Sequence, residues 1–309
     1  MIFGIAKHSQ HGASSSTIAS FLHLCFAKSK GKTRMFTLNC KGRLLTIDKP
    51  LVMGIINVTP DSFYPGSQKQ SVGEALQLAE KMLHDGAAIL DIGGQSTRPG
   101  SKKINAEEEL QRVIDPIKAV HKKFPEAVIS VDTYYSTVAT EAIAAGASIV
   151  NDISGGYMDE NMISTVASLQ VPYVCMHIQG TPQDMQLNPH YENITRELLD
   201  FFIERVNTLH KAGIKDVIIV PGFGFGKTIA HNFEILRNLS VYKTLDCPML
   251  LGLSRKSTIY KTLGITVEES LNGTTVLNTI GLLNGANILR VHDVKEATET
   301  IKIFEAYSK

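Results

Sequence analysis

Apolar positions fall into eight short runs, at 51–56, 87–92, 127–131, 148–150, 172–176, 217–220, 249–253 and 287–289, rich in valine, isoleucine and leucine. A stretch with helical spacing follows each run. In the first of these, Val72, Ala75, Leu76, Ala79, Met82 and Leu83 share one face. Ser71 with Glu74 reads as a capping box at its start, and Gly86 as its left-handed stop. Further helices are predicted over 107–123, 136–145, 160–169, 193–211, 232–239, 268–283 and 294–307, with a shorter one beginning near Lys256. Unbroken apolar strands alternating with helices predict a parallel sheet covered on both faces. Ahead of them, 36–39 and 44–47 read as a hairpin around Lys41-Gly42.

A weak internal repeat narrows the topology. Asp85-Gly-Ala-Ala-Ile-Leu-Asp, Ala145-Gly-Ala-Ser-Ile-Val-Asn and Asn284-Gly-Ala-Asn-Ile-Leu-Arg share one plan, and Ala212-Gly-Ile-Lys-Asp-Val-Ile is a looser copy. Their glycines lie 60, 67 and 72 residues apart, so each copy enters every second strand. Four such quarters predict a closed α/β fold, a single (β/α)8 TIM barrel over 35–309 with a short N-terminal hairpin. Roughly 250 residues is the usual size of that barrel, whose active site lies at the strands' C-terminal ends. Polar residues stand at those ends here: Asn57, Asp91, Asp132, Asn151, His177, Pro221-Gly222, Arg255-Lys256, and Arg290 with His292.

Charge removes some classes of function. With 31 basic and 30 acidic side chains among 309 residues, the chain has no electrostatic footprint for nucleic acid or an anionic membrane. Any anion site is therefore local. Four cysteines without CxxC spacing suit a reducing, cytoplasmic setting, and no apolar run approaches a bilayer span. Residues 1–34 lack acidic side chains and carry the run Ser14-Ser15-Ser16, with Lys7, Lys28, Lys30, Lys32 and Arg34. That composition resembles a transit peptide, yet no cleavage pattern supports it. The segment reads as an extension outside the fold, which opens at Met35.

Several loops carry chemistry. In Asn57-Val-Thr-Pro-Asp-Ser-Phe63, Thr-Pro-Asp-Ser is explained by an ordinary turn, but Asn57 at the strand tip is not. Its neutral oxygen suits a magnesium ion that keeps most of its waters. In Asp91-Ile-Gly-Gly-Gln-Ser-Thr-Arg-Pro-Gly100 the glycines allow close approach, and Arg98 offers forked donors to phosphate or stands solvated in its loop. Asp132 and Asn151 can read a heterocycle edge that presents donors and acceptors, or cap the helices that follow. Pro221-Gly-Phe-Gly-Phe-Gly-Lys227 resembles a phosphate loop but fails the Walker spacing, since Gly222 and Gly226 enclose three residues instead of four. It reads instead as a flexible loop presenting Phe225 to an aromatic ligand. Ser254-Arg255-Lys256-Ser257 and Arg290-Val-His292-Asp293 end the seventh and eighth strands, where barrels often hold phosphate.

These motifs, from about Met35 to Tyr307, resemble the dihydropteroate synthases, folate-pathway enzymes inhibited by sulfonamides. The resemblance implies condensation of 6-hydroxymethyl-7,8-dihydropterin pyrophosphate with p-aminobenzoate, dependent on Mg2+, in a homodimer paired through outer helices. It places Asp132, Asn151, Met176 and Lys256 in the pterin pocket. Asn57, Arg98, Arg290 and His292 would hold pyrophosphate, with the metal at Asn57. Thr97, Pro99, Phe225 and Ser257 would form the p-aminobenzoate site, while Asp61 and Arg98 close over it on mobile loops. The catalytic set so implied is Asp132, Lys256, Arg98 and Asp61.

One position departs from the pattern. The family carries aspartate before the Pro-Gly-Phe-Gly-Phe run, where it accepts hydrogen bonds from the pterin's amino-pyrimidine edge, and here that residue is Val220. Gln95 stands where many relatives have Glu, a lesser change. Val220 keeps alternatives open: an impaired or inactive paralogue, or a methyltransferase-like pterin barrel, although the latter brings no pyrophosphate for Arg290 and His292 to hold.

Overall fold

In a computed structural model of the chain, residues 34–59, 68–96, 101 and 103–309 are described. Met35–Lys309 forms one compact unit. Strands β1 (Phe36–Cys40) and β2 (Arg43–Ile47) make the expected hairpin, with Cys40 paired to Arg43. Lys41 and Gly42 both take positive φ, +55° and +87°, as the tight turn that matches strand twist requires.

Eight parallel strands follow: β3 (Leu51–Asn57), β4 (Ile89–Gly93), β5 (Val128–Asp132), β6 (Ile149–Asp152), β7 (Tyr173–Met176), β8 (Val217–Val220), β9 (Leu250–Leu251) and β10 (Ile288–Val291). Each pairs with its neighbour in sequence, β10 returns to β3, and the Ile219–Met249 bridge joins β8 to β9. The barrel is therefore closed in strand order. Around it lie α1 (Gln68–His84), α2 (Ala106–Lys123), α3 (Ser136–Ala145), α4 (Met162–Leu169), α5 (Ile194–Lys211), α6 (Ile229–Arg237), α7 (Ser257–Leu263), α8 (Leu271–Leu283) and α9 (Val294–Ser308). Short 3-10 turns at Leu239–Leu245 and Glu268–Ser270 extend α6 and precede α8.

The repeat has a physical basis. Gly86, Gly146, Gly213 and Gly285 all have φ between +99° and +122°. The residue after each glycine donates its N–H five residues back: Ala87 to Met82, Ala147 to Ala142, Ile214 to Leu209 and Ala286 to Gly281. This Schellman arrangement satisfies carbonyls left over at a helix end and turns the chain into the next strand. It recurs before β4, β6, β8 and β10.

One expected cap does not form. Helix α1 starts at Gln68 and runs through Ser71, so Ser71 is interior and cannot serve as the N-cap. Gln68, Lys69 and Gln70 are good helix formers, and they extend the helix upstream.

Alternating strand residues divide the core into two clusters, one inside the barrel and one beneath the helices. Leu38, Cys40 and Ile47 of the hairpin join Met53, Ile89, Val128 and Ile149 in the inner cluster. The Asn39 N–H donates to Asp216 at 2.7 Å and the Lys41 ammonium to the Ile143 carbonyl at 2.9 Å. Arg43 donates to the carbonyl of Glu126. All three acceptors lie in the segments that lead into strands, so the hairpin covers the floor, opposite the strands' C-terminal ends.

Candidate active site

The open end is organised by one arginine. Arg290, from β10, donates through Nε to Asp91 Oδ2 of β4 and through Nη2 to Asp132 Oδ2 of β5, both at 2.6 Å. Asn151 of β6 donates to the same Asp91 oxygen at 2.9 Å. Four strand-tip residues expected to converge thus meet in one charge-assisted network. Asp132 and Asn151 are not helix caps: the first N–H of α3 is taken by Asp159 at 2.7 Å, and Asn161 stands at the N-cap of α4. Burial, with Asp91 and Asp152 nearby, pushes the Asp132 carboxyl up to about 7, against the pull of Arg290 and Lys256. Burial and the Arg290 charge push Lys256 down to about 7.

The neighbouring Asp152 belongs to a different environment. One step along β6 turns its side chain outward, where it accepts from Ser154 N and Oγ, Gly156 N and Tyr173 Oη. It staples the β6 exit rather than facing the mouth.

Opposite the network, the wall is apolar. Met176, Val220 and Phe225 are buried together in the inner cluster. Val220 is 4% exposed, and its carbonyl accepts from the His177 N–H at 3.1 Å. Lys256 crosses this wall: its ammonium lies 4.4 Å from the Phe225 ring centroid and donates to the Phe223 carbonyl.

The glycine loop after β8 is pinned, contrary to the flexible loop expected. Lys227, 2% exposed, has its ammonium 2.9 Å from His177 Nδ1 and donates to the carbonyls of Phe225 at 2.9 Å and His177 at 3.3 Å. Three acceptors match the three hydrogens of an ammonium. Burial disfavours charge on both groups, lowering Lys227 and taking His177 to about 2. Gly222, at φ +74°, sits so close to β7 that a Cβ there would lie 2.0 Å from the His177 carbonyl oxygen. Sequence gave no sign of this contact, since Lys227 and His177 are 50 residues apart.

Gly93 and Gly94 admit protein rather than ligand. A Cβ on Gly93 would lie 3.1 Å from Asp132 Cβ, and one on Gly94 2.8 Å from Val113 of α2. Below Gly94, Glu109 is fully buried, and neither carboxylate oxygen meets a donor in good hydrogen-bond geometry among the described residues. Burial and then the Asp132 charge push it up to about 8. Its folded value exceeds its unfolded one, so it costs stability progressively as pH rises from about 4.5 to about 8. Glu109→Gln, neutral throughout, is expected to raise the melting temperature relative to the parent at pH 8 and to change it little at pH 5. Equal differences at the two pH values would contradict this assignment.

At the β9 and β10 exits, Ser254 Oγ lies 3.1 Å from His292 Nδ1, and Arg255 grips Asp293 through two 2.9 Å contacts. Ser257 opens α7 directly behind Lys256, and Asn57 ends β3, half-buried. Gln95 accepts from the Ile104 N–H at 3.1 Å and the Tyr134 hydroxyl at 3.2 Å, ordering the chain after β4. Asp61, Thr97, Arg98 and Pro99 lie outside the described residues.

Residues 53–292 match the family of pterin binding enzymes. Over 271 residues the chain is 41% identical to the dihydropteroate synthase of Escherichia coli K12, covering 87% of this chain and 95% of that one. The Xanthomonas albilineans dihydropteroate synthase solved with 4-aminobenzoic acid is 39% identical, with TM-score 0.82 over 88% of this chain and 97% of its own. A structure from the same organism in complex with 7,8-dihydropteroate gives TM-score 0.80 at 36% identity, over 88% and 98%. Likeness at this identity and coverage reaches past the fold: the chain belongs to the pterin-binding enzymes, on their dihydropteroate synthase branch.

Proposed function

We propose that the barrel mouth condenses 6-hydroxymethyl-7,8-dihydropterin pyrophosphate with p-aminobenzoate, releasing pyrophosphate and 7,8-dihydropteroate. The observation that carries this reading is the meeting of Asp132, Asn151 and Arg290 in one network beside Lys256. Asp132 and Asn151 hold the pterin edge, with Met176, Val220 and Lys256 as the rest of its pocket. Arg290 and His292, joined by Arg98, hold the pyrophosphate. Phe225 and Ser257, with Thr97 and Pro99, receive p-aminobenzoate. Asp61 serves the closing loop.

The chemistry asks for placement and electrostatics rather than a covalent nucleophile. As the carbon–oxygen bond to pyrophosphate lengthens, Arg290 stabilises charge on the leaving group. Positive charge gathers on the pterin methylene, which favours the ionised form of Asp132. The p-aminobenzoate nitrogen then attacks that carbon and sheds a proton. Among the described residues no three of His, Cys, Asp and Glu come together as a metal site. A magnesium ion held mainly by water and substrate phosphate needs only one or two protein oxygens, and the Asn57 carboxamide supplies one. When bound, the metal would add charge stabilisation at the pyrophosphate.

Val276, Ile280 and Leu283 on α8 and Ile303 and Tyr307 on α9 are exposed apolar residues, which supports pairing of two copies. No helix among the described residues is long and apolar enough to cross a membrane. Cys40, Cys175 and Cys247 are buried, consistent with a cytoplasmic, reducing setting. The decisive assay supplies both substrates with Mg2+. Dihydropteroate should form, stop on chelation and resume when Mg2+ is restored. No product at saturating pterin would favour a non-catalytic relative, the reading that Val220 alone supports.

A further inference from the structure

We propose that Ser254 is a positioning residue that fixes the tautomer of His292, so that the neutral ring carries its hydrogen on Nε2 as a donor for pyrophosphate. The inference rests on the proposed function for its ligand and on hydrogen-bond accounting for its mechanism.

Ser254 is 5% exposed. Its oxygen accepts the backbone N–H of His292 at 3.2 Å and lies 3.1 Å from Nδ1 of the same residue. The backbone contact has one possible direction, because an N–H can only donate. The hydroxyl hydrogen still needs an acceptor, since buried polar groups are almost always paired. These contacts supply one, the Nδ1 lone pair. The opposite tautomer would make the oxygen accept twice and leave its own hydrogen without a partner among the described residues, the costlier arrangement. Nδ1 is thus the acceptor, and the single hydrogen of the neutral ring resides on Nε2.

The surrounding chain holds the two residues together. Strands β9 and β10 pair through Leu250–Ile288 and Leu251–Leu289. Arg255, between Ser254 and Lys256, adopts φ +53°, an uncommon conformation for a residue other than glycine. The surroundings over-determine it: its N–H donates to Thr274 Oγ1 at 3.1 Å and its guanidinium holds both oxygens of Asp293. The arginine at the β9 exit therefore grips the residue after His292. Ser254 and His292 meet because their neighbours are clamped.

Tautomer decides the sign of the contact. Pyrophosphate oxygens only accept, so an Nε2 hydrogen attracts them and an Nε2 lone pair would repel them. No proton need be taken up for the ring to act as donor.

The test uses ligand-free full-length protein labelled with 15N in histidine. Long-range 15N–1H correlation spectra at pH 8 report which ring nitrogen is protonated, with the His292 signal assigned by its loss in His292→Gln. The parent should show the Nε2–H form, Ser254→Ala a mixture of both, and Ser254→Thr the parent pattern. Calorimetric titration with pyrophosphate and Mg2+ should show affinity about five- to ten-fold weaker in Ser254→Ala and restored in Ser254→Thr. An Nδ1–H ring in the parent, or an unchanged tautomer in Ser254→Ala, overturns the proposal. Unaltered pyrophosphate affinity alongside a shifted tautomer overturns its functional half. Because the ring is read without substrate, missing turnover with the expected tautomer counts against the synthase reading alone.

Discussion

Val220→Asp tightens binding of the dihydropterin pyrophosphate by ~10- to 1,000-fold. A hydrogen bond to a charged group contributes about 1.5–3 kcal/mol; sparing the partner donor burial against carbon adds a similar amount, and burying the new carboxylate takes part of the gain back. Each 1.4 kcal/mol is a factor of about ten in affinity. Val220 ends β8 with its side chain in the inner cluster beside Met176 and Phe225, on the wall facing the Asp91–Arg290–Asp132 network. A carboxylate there meets the pterin's donors where the parent offers methyl groups. Without ligand the same carboxylate is buried among apolar side chains, so the unliganded variant should melt below the parent. Lys256, over the Phe225 ring, is a cation on the same wall, and a new negative charge should raise its depressed pKa. Titration calorimetry with the pterin pyrophosphate measures the first effect and thermal unfolding the second. An unchanged pterin Kd would mean that the pterin does not rest on β8.

Arg290→Met carries the largest expected cost in stability. Asp91 is wholly buried and Asp132 nearly so, and both lie 2.6 Å from the one guanidinium. Removing one partner from a buried ion pair costs about 3–5 kcal/mol, because the remaining charges are left uncompensated. For a domain of this size that corresponds to a fall of roughly 6–20 °C in melting temperature. The loss should depend on pH in a set direction. Asp132 already has a folded pKa above its unfolded value, and losing the cation raises it further. A raised carboxyl favours the folded state at low pH and loses that advantage as pH climbs. The gap between parent and variant should therefore widen from pH 5 to pH 8. Melting curves that stay parallel across that range would sink the account. Turnover should vanish at both pH values, since in the proposed reaction Arg290 holds the leaving pyrophosphate.

Both arguments start from residues that are visible in the sequence for a simple reason. A parallel strand buried on both faces is an unbroken apolar run, so a polar residue at its end stands out. Asp91, Asp132, Asn151 and Arg290 were marked that way, and the structure joins them. The helix-end glycines were legible because only a left-handed residue makes that turn. Other features leave no such mark. Asp152 is adjacent to Asn151 and equally polar, yet the two-residue strand period sends it to the opposite face. Ser71 satisfied a capping pattern, but the helix continued upstream because nothing before it disfavoured helix. The grip of Lys227 on the β7 exit and of Ser254 on His292 depends on residues 50 and 38 positions apart, which no local pattern connects.

Strand order gives the mouth a history as well as a shape. Of the eight barrel strands, β3 leaves the ribosome first and β10 last, and these two are neighbours in the finished barrel. Arg290 follows Asp91 by 199 residues and Asp132 by 158. Until β10 is made, the two aspartates lack this counter-ion. The barrel seam and the Arg290 ion pairs both depend on the last strand. A nascent chain halted before β10 lacks both the seam and the arginine proposed to hold pyrophosphate, so translation should not release a partly built but active enzyme.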